Sequence, residues 1–259
     1  METLFKTQHN KSVLVIGETC DDIFIYGEVS RLNPEAPVPI IKPTHKTTNK
    51  GMAENVAKNL ESLGVSVDLI CNQETIKKIR YVDDSYNYIL LRIDEEEDIN
   101  KIDLSNLPDG DYAAVVIGDY NKGFLTSEDI QQICKEYDCP IFLDTKKELG
   151  EWADCLDYIK INNSEYQRNK EIIDTKLISK TIITRGSKGC NFDGKNFPTK
   201  EVEVKDVVGA GDTFLAGLVF KYIETNSIEE SIEFANLCST QVVQKRGVGI
   251  VDKNELYGR

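Results

Sequence analysis

An alternation of short apolar runs with helical patterns is the feature that most constrains the fold of this chain. An apolar run at residues 13–16 ends in Gly17. Apolar residues at helical spacing then run from Ala53 to Leu63 and stop at Gly64, and residues 65–70 form a second apolar run. This order of strand, helix and strand is typical of a parallel βαβ unit, whose strands are buried on both faces.

The same alternation returns along the rest of the chain. Its further elements are a strand at residues 113–117, a helix capped near Thr126 or Ser127, strands at 141–143, 158–161 and 181–183, a hairpin turn at Asp193-Gly194 and a long helix at 228–243. We therefore predict an α/β fold with a doubly wound, mostly parallel sheet and helices on both faces.

Other segments do not fit the parallel sheet and predict a small β flap, or lid. Residues 22–29 and 38–42 alternate less regularly on either side of a proline-rich bend, and residues 86–93 have a similar pattern before an acidic run at 94–98. We interpret the acidic run as a solvated loop. Because the sequence has no linker or repeat, we predict a single domain over residues 1–259, with lid strands from about 22–42 and 85–93.

Composition excludes several classes of protein. Apolar residues make up 40% of the chain and charged residues 29%, as in a folded water-soluble domain. No apolar run approaches the ~20 residues that span a bilayer, and residues 1–11 lack the apolar centre of a signal peptide. The net charge of −13 argues against nucleic acid as a partner. We expect a cytoplasmic protein that binds neither nucleic acid nor membrane.

The cysteines and histidines disfavour a zinc site or a disulfide framework. The seven cysteines are scattered without a Cys-x-x-Cys pair, and His9 and His45 are isolated in the sequence. We interpret the cysteines as free thiols in a reducing compartment.

A phosphate cradle and a candidate base stand together at residues 205–214. The run Gly209-Ala210-Gly211 leaves backbone N–H groups uncovered, and the apolar spacing after it predicts a helix that begins there, as at an anion site. Asp212 lies in the field that favours negative charge, so we expect it to stay ionised and to accept a proton from an alcohol. An ordinary helix start with an aspartate in its first turn has the same pattern. Both interpretations fit this segment taken alone.

Residues that could contribute to a ligand site follow several of the predicted strands. They are Gly17, Asp119, Asp144, Asn162 and residues 184–186. In doubly wound sheets, ligands bind beyond the carboxyl ends of the strands. We therefore expect these residues to share one edge of the sheet with Asp212.

Four segments, in this order, resemble motifs of the ribokinase-like carbohydrate kinases, the PfkB family, and the likeness extends over nearly the whole chain. They are residues 51–57, the element Asn162-Asn163-Ser164-Glu165, the turn at residues 184–189 and the segment at residues 205–214. The resemblance implies a ribokinase-like fold, ATP and Mg²⁺ as cofactors, and transfer of a phosphoryl group to a sugar hydroxyl.

The resemblance also implies roles for individual residues. Asp212 would be the catalytic base, Gly209 to Gly211 (including Ala210) would form the anion hole, and Glu165 would meet Mg²⁺ through water. The implied nucleotide-binding residues are Asn162, Thr184, Arg185, Gly186, Lys188 and Gly189. The implied sugar-binding residues are Glu18, Asp22, Gly51 and Asn55.

Within this family, a narrower resemblance is to the kinases that act on D-glycero-D-manno-heptose 7-phosphate. It rests on residues 30–39, 118–123 and 144–146. It implies a sugar phosphate as the acceptor, with Arg92, Lys122 and Lys146 as its cations, although a solvated surface charge is the ordinary alternative for any one lysine. Bifunctional members carry a further nucleotidyltransferase domain with a His-x-Gly-His motif. The sequence has no such motif, so we expect the kinase half only.

Departures from the family pattern leave the acceptor open. Met52 stands where the sugar motif has its second glycine, Val207 replaces a threonine, Glu18 replaces an aspartate, and a segment that would supply a helix and a strand is missing between residues 71 and 80.

Three alternatives to a heptose phosphate kinase differ in how well the sequence fits them. The first is a kinase of the fructose or nucleoside type, and the second is a catalytically weak sugar-binding or regulatory protein. The third, a dinucleotide-dependent oxidoreductase, would need a Gly-x-Gly-x-x-Gly turn after the first strand, which the sequence lacks. The exposed edges of the flap predict a homodimer that pairs through the lid.

Overall fold

The computed structural model describes residues 12–95 and 98–258. The strands along the chain are β1 (Ser12–Gly17), β2 (Thr19–Leu32), β3 (Pro39–Met52), β4 (Ser66–Ile70), β5 (Ile76–Asp83), β6 (Tyr88–Glu95), β7 (Ala114–Asp119), β8 (Ile141–Thr145), β9 (Tyr158–Asn162), β10 (Thr181–Thr184), β11 (Cys190–Phe192) and β12 (Lys195–Phe197). The α-helices are α1 (Ala53–Ser62), α2 (Ser127–Glu136), α3 (Asn163–Asn169), α4 (Thr175–Ile178), α5 (Ala210–Thr225), α6 (Ile228–Val242) and α7 (Lys253–Leu256).

Eight strands form the main sheet, in the order β12-β11-β10-β9-β8-β7-β1-β4. The six strands from β10 to β4 pair in parallel, and β11 and β12 add an antiparallel hairpin at one edge. Asp193 and Gly194 both have positive φ in the turn of this hairpin, as predicted for an Asp-Gly turn.

Helices cover both faces of the main sheet, which confirms the predicted doubly wound fold. Alternate residues of β1 enter opposite cores because side chains of a strand point to opposite faces. Val13 and Val15 pack with α1, α5 and α6, whereas Leu14 and Ile16 pack with α2. The predicted cap of α2 is Thr126, whose side chain forms a capping box with Asp129.

A second sheet of four strands, in the order β3-β2-β5-β6, forms the lid. The predicted lid segments lie in β2, β3 and β6, but β2 begins earlier, at Thr19, and β3 continues to Met52. Sequence patterning missed β5, which pairs in parallel with β2. The short connection between β4 and β5, residues 71–75, leads the chain directly from the main sheet into the lid.

Part of the sequence prediction lies outside the described residues. It comprises residues 1–11, with His9, and residues 96 and 97 of the acidic run. Asp94 and Glu95 belong to β6, not to the loop that we predicted. Within residues 12–95 and 98–258, no helix is both long and apolar enough to cross a bilayer.

Candidate active site

The glycine turn before α5 needs its glycines for two different reasons. Gly209 is the N-cap and has a φ of 78°, a left-handed conformation that favours glycine. A Cβ atom on Gly209 would lie 2.7 Å from Asn55 Nδ2, and one on Gly211 would lie 2.8 Å from Lys160 Nζ. The helix therefore starts with bare backbone facing a buried lysine, which is an arrangement suited to an anion.

Asp212 is the buried carboxylate of this turn. It is 6% exposed; Asn55 Nδ2 donates a hydrogen bond to its Oδ2 at 2.9 Å, and the Tyr120 hydroxyl donates one to its Oδ1. Burial raises the pKa of Asp212, while the hydrogen bonds from Tyr120 and Asn55 lower it. The sequence predicted an ionised Asp212 from the helix field alone, whereas the structure adds a burial effect of opposite sign, which favours proton uptake.

A cavity of about 410 Å³ opens beside Asp212. Its lining brings together many residues that the sequence predicted as site residues, namely Asp212, Gly209, Ala210, Gly211, Lys146, Asn162, Thr184, Gly186 and Gly189. A neighbouring cavity shares Asn162, Thr184 and Gly186 and adds Arg185 and Lys188. The apolar side chains Val202, Val204 and Phe214 also line the first cavity.

Two lysines line the cavity together with the glycine turn, and only Lys146 was predicted from the sequence. Lys160 is 4% exposed, and its Nζ lies 2.6 Å from Asp144 Oδ2. Lys146 pairs with Glu165 and lies 3.8 Å from Asp144 Oδ1. A charged residue inside the otherwise apolar strand β9 was the available signal for Lys160, because buried lysines need a partner or a ligand.

Glu165 lies behind the cavity wall and has internal partners. It is 3% exposed, and it forms a capping box with Asn162 at the start of α3. One of its oxygens accepts from the Asn162 backbone at 2.7 Å, and the other accepts from the Asn162 side chain and from Lys146. Glu165 thus makes capping contacts in this structure, and its water-mediated contact with Mg²⁺ stays a prediction.

Asp144 fits the chemistry of a divalent cation better than Glu165 does. Its Oδ1 is buried and accepts no hydrogen bond from the described residues, although Asp144 lines the cavity. Mg²⁺ in phosphate sites is held by one or two carboxylates together with water and the phosphates. No group of three metal-binding side chains occurs within residues 12–95 and 98–258, so any Mg²⁺ would take most of its ligands from water and the phosphates.

The predicted sugar-binding residues lie where the lid meets the main sheet, and most of them have internal partners. Asp22 is buried and pairs with Arg80 of β5, which sequence reasoning missed. A Cβ on Gly51 would lie 2.4 Å from Asp22 Oδ2, so these two residues are direct neighbours. Asn55 Nδ2 donates a hydrogen bond to Asp212 and also lies 3.4 Å from Gly209 O, so it supports the glycine turn.

Glu18 makes a different contact from the one that the sequence predicted. It is fully buried, and its carboxylate accepts hydrogen bonds from the backbone N–H groups of Tyr120, Lys122 and Phe124 at 2.7, 2.9 and 3.3 Å. Glu18 therefore holds the loop after β7 in place and has no surface for a sugar. The physical reason is that a buried carboxylate must find donors, and this loop supplies three of them.

Cations from the lid and the main sheet gather around the Tyr120 ring. The Nζ atoms of Lys78 and Lys146 each lie 5.2 Å from its centroid.

Arg92 forms a bidentate pair with Asp94 at 2.6 and 2.7 Å. The hydrogen bond from Arg92 is the main cause that lowers the pKa of Asp94, and the charges of Lys78 and Lys122 lower it further. Lys78 lies in β5 and was not predicted.

The departures from the family motifs have clear structural settings. Met52 has a φ of 61°, the conformation for which the motif uses glycine, and its side chain is buried with Cys20 and Ile76. A non-glycine residue in this region is strained by about 1–3 kcal/mol. Val207 is 66% exposed and lines the cavity, where it offers no hydroxyl.

Comparison with known proteins identifies relatives over most of the chain. The family model described as pfkB family carbohydrate kinase matches residues 125–254. A protein of Haemophilus influenzae (strain PittEE) named "Bifunctional protein HldE" is 32% identical over 300 aligned residues, and the alignment covers 94% of this chain and 62% of that protein. The protein of the same name from Escherichia coli O9:H4 (strain HS) is 30% identical over 298 residues, with the same shares covered. The chain thus spans 62% of the length of these relatives.

Solved structures of low sequence identity share the fold. The Methanocaldococcus jannaschii nucleoside kinase, described as a member of the ribokinase family, is 18% identical, with a TM-score of 0.71 over 96% of this chain and 97% of that one. The ribokinase of Thermotoga maritima is 17% identical, with a TM-score of 0.69 over 96% and 99%. At this identity the likeness shows the ribokinase-like fold, which was predicted.

Proposed function

Because the chain belongs to the pfkB family of carbohydrate kinases, we propose that it transfers the γ-phosphoryl group of ATP to a hydroxyl of a sugar phosphate. The observation that carries the proposal is the buried Asp212 beside the bare Gly209–Gly211 backbone at the mouth of a cavity. A base and an anion site in one turn are what phosphoryl transfer to an alcohol requires.

In the proposed reaction each group of the catalytic turn has one task. Asp212 accepts the proton of the acceptor hydroxyl, and its raised pKa suits proton uptake. The N–H groups of the Gly209–Gly211 turn and the ammonium of Lys160 stabilise the negative charge on the transferring group, since they are already in place before the reaction. Asn55 orients the carboxylate through its 2.9 Å hydrogen bond.

The nucleotide would occupy the 410 Å³ cavity. Its phosphates would face the Gly209–Gly211 turn and Lys160, and its base would meet the apolar wall at Val202, Val204 and Phe214. Mg²⁺, when bound with ATP, neutralises phosphate charge. Asp144, whose Oδ1 accepts no hydrogen bond from the described residues, is the residue that we propose to hold this ion.

The acceptor would bind between the lid and the glycine turn, near Asp22 and Gly51. We propose an anionic sugar, with a heptose 7-phosphate as the leading candidate, because Lys78 and Lys146 approach Tyr120 from the lid and the main sheet. Arg92 and Lys122 extend this positive region. Closure of the lid would exclude water, which otherwise competes as an acceptor. We continue to expect a cytoplasmic location.

Features of the structure are also compatible with two other functions. A kinase for another sugar of the fructose or nucleoside type fits the same catalytic turn. A catalytically weak sugar-binding or regulatory protein fits the strained Met52 and the absence of a hydroxyl at Val207. The intact glycine turn and the buried base favour catalysis over either form of binding protein.

An ADP-release assay over a panel of acceptors tests the proposal. We expect D-glycero-D-manno-heptose 7-phosphate to raise ADP release well above the rate without sugar, and unphosphorylated heptose, fructose and adenosine to raise it at least about tenfold less. A loss of one phosphate contact of about 1.4 kcal/mol corresponds to this factor. ADP release that is highest with a neutral acceptor would replace the heptose phosphate with that acceptor, and no stimulation by any acceptor would favour the binding protein.

We also propose a homodimer that forms through the lid. β6 is an edge strand of the lid sheet, and it exposes a row of apolar side chains, namely Tyr88, Ile89, Leu91 and Ile93. Exposed apolar edges favour pairing across a two-fold axis. We expect light scattering to give twice the monomer mass for the wild type and the monomer mass for Leu91→Glu, since Leu91 is 54% exposed.

A matched apolar-to-acid change controls the dimer experiment. Ile172 lies outside the lid, after α3, and is 44% exposed. Ile172→Glu should therefore keep the wild-type mass. A wild type that scatters as a monomer at assay concentration refutes the dimer, and so does a Leu91→Glu variant that stays dimeric.

A further inference from the structure

Tyr120 is hydrogen-bonded to Asp212, the base that the acceptor hydroxyl would need. Its hydroxyl donates a hydrogen bond to Asp212 Oδ1, and Asn55 donates one to Oδ2. Asp212 lines the cavity, so a hydroxyl can approach it, but each of its carboxylate oxygens already accepts a hydrogen bond. In the reaction proposed above, the acceptor hydroxyl must come within hydrogen-bond reach of this carboxylate. The acceptor hydroxyl therefore competes with the two present donors, and the carboxylate is a stronger base for it when one of them yields.

Tyr120 is the donor that can yield. Asn55 is fully buried within α1, and its Oδ1 accepts a hydrogen bond from Asn59 at 3.1 Å, so its side chain is held at both ends. Tyr120 lies in the loop after β7, is partly exposed and lines the cavity. The Tyr120 hydroxyl thus makes the hydrogen bond to Asp212 that an acceptor hydroxyl would make.

The contacts that hold the Tyr120 ring are sensitive to charge. The ring packs against the buried cluster of Cys20, Met52 and Ile76, and the ammonium groups of Lys78 and Lys146 each lie 5.2 Å from its centroid. A cation over an aromatic ring contributes about 0.5–2 kcal/mol. An anionic group offers Lys78 a stronger, charge-assisted partner, and it competes with Glu165 for Lys146.

We propose that Tyr120 determines acceptor specificity: it withholds Asp212 from water and neutral alcohols, and an anionic acceptor releases it by drawing Lys78 and Lys146 away from the ring. This inference rests on the proposed kinase function. The anionic group of the acceptor is then both a binding contact and the signal that frees the base. A neutral sugar has the hydroxyl but lacks the group that displaces the phenol.

Tyr120→Phe tests this role because it removes the hydroxyl and keeps the ring. ADP release is measured with no sugar, with D-glycero-D-manno-heptose and with its 7-phosphate. We expect the variant to raise the first two rates by about tenfold, a part of the 10²–10⁴ that a positioned base contributes, and to leave the third within about twofold. Tyr137→Phe is the control, since Tyr137 is the C-cap of α2 and its hydroxyl donates to Pro108 O at 2.9 Å. All three rates of this variant should equal those of the wild type.

The pH profile separates this role from a structural one. Loss of the Tyr120 hydrogen bond removes an interaction that lowers the pKa of Asp212, so the acid limb of kcat/KM should move to higher pH. The other groups that face Asp212 are unchanged in the variant; they are Asp144, Lys160, Lys146, Cys20 and Asn55. A structural role would lower all three rates together and leave the limb in place.

The outcomes distinguish this inference from the proposed function. An unchanged ratio of the 7-phosphate rate to the neutral rates in Tyr120→Phe, or an unmoved acid limb, overturns the role of Tyr120 while wild-type kinase activity remains. A wild type that neither sugar stimulates overturns the proposed function. In that case the sugar-free rate still decides for Tyr120, because a variant that hydrolyses ATP no faster than wild type excludes a withheld base.

Discussion

Asp212→Asn is expected to lower kcat by about 10²- to 10⁴-fold, the contribution of a positioned general base. Asparagine keeps the size of the side chain and an oxygen that can accept from Asn55, which now lies at 2.9 Å. The substitution removes the carboxylate that would take up the proton of the acceptor hydroxyl. The measurement is acceptor-dependent ADP release at saturating ATP, with the thermal midpoint recorded in parallel.

The fold of the Asp212→Asn variant should be preserved, because a neutral amide is easier to bury than a carboxylate. Asp174→Asn is the matched control: Asp174 is the exposed N-cap of α4, a position that asparagine caps equally well, so activity should not change. Turnover of Asp212→Asn at the wild-type rate would refute Asp212 as the base. A wild type with no acceptor-dependent turnover would refute the kinase proposal itself.

Gly211→Ala is expected to lower kcat by about a hundredfold through the anion site. Alanine keeps the backbone N–H, but its Cβ would lie 2.8 Å from Lys160 Nζ, so the lysine or the phosphoryl group must shift. Displacement of one preorganised donor costs about 10²–10³ in comparable sites. Alanine suits a helix better than glycine, so the thermal midpoint should hold or rise while activity falls.

Gly150→Ala provides the matched control for Gly211→Ala. Gly150 has an extended backbone that any residue adopts, and a Cβ there would lie 3.5 Å from the Trp152 ring, an ordinary contact. It should retain wild-type activity. If Gly211→Ala also retains it, the backbone of the turn does not hold the transferring group. If both variants lose activity together with thermal stability, the effect is one of folding and the anion-site role is refuted.

The fold was largely predictable because its main sheet follows local patterns. The strands of a parallel sheet are buried on both faces, so they appear as short apolar runs, and glycine or capping residues mark the helix ends between them. β1, α1 and the Asp193-Gly194 hairpin were predicted for this reason. β5 was missed, because Lys77, Lys78 and Arg80 break its apolar pattern.

The lid and the contacts of the site were less predictable, because their residues form hydrogen bonds and ion pairs with residues that are far away in the sequence. Glu18 and Glu165 were predicted to meet ligands from their position in motifs, yet both are buried and take donors from neighbouring loops. Asp144 and Lys160 pair at 2.6 Å across two adjacent strands, a contact that depends on the strand register. No local pattern contains that information.

The sequence by itself was enough to suggest phosphoryl transfer as the reaction class. Gly209, Gly211 and Asp212 lie within four residues of the chain, and the conformation of their turn is local. The tertiary structure decided which groups control Asp212. Asn55 and Tyr120 are 157 and 92 residues away from it in sequence, and they meet it because α1 and the loop after β7 reach the same edge of the main sheet. The burial that raises the pKa of Asp212 is likewise a property of this packing, because solvent exclusion needs atoms from all sides.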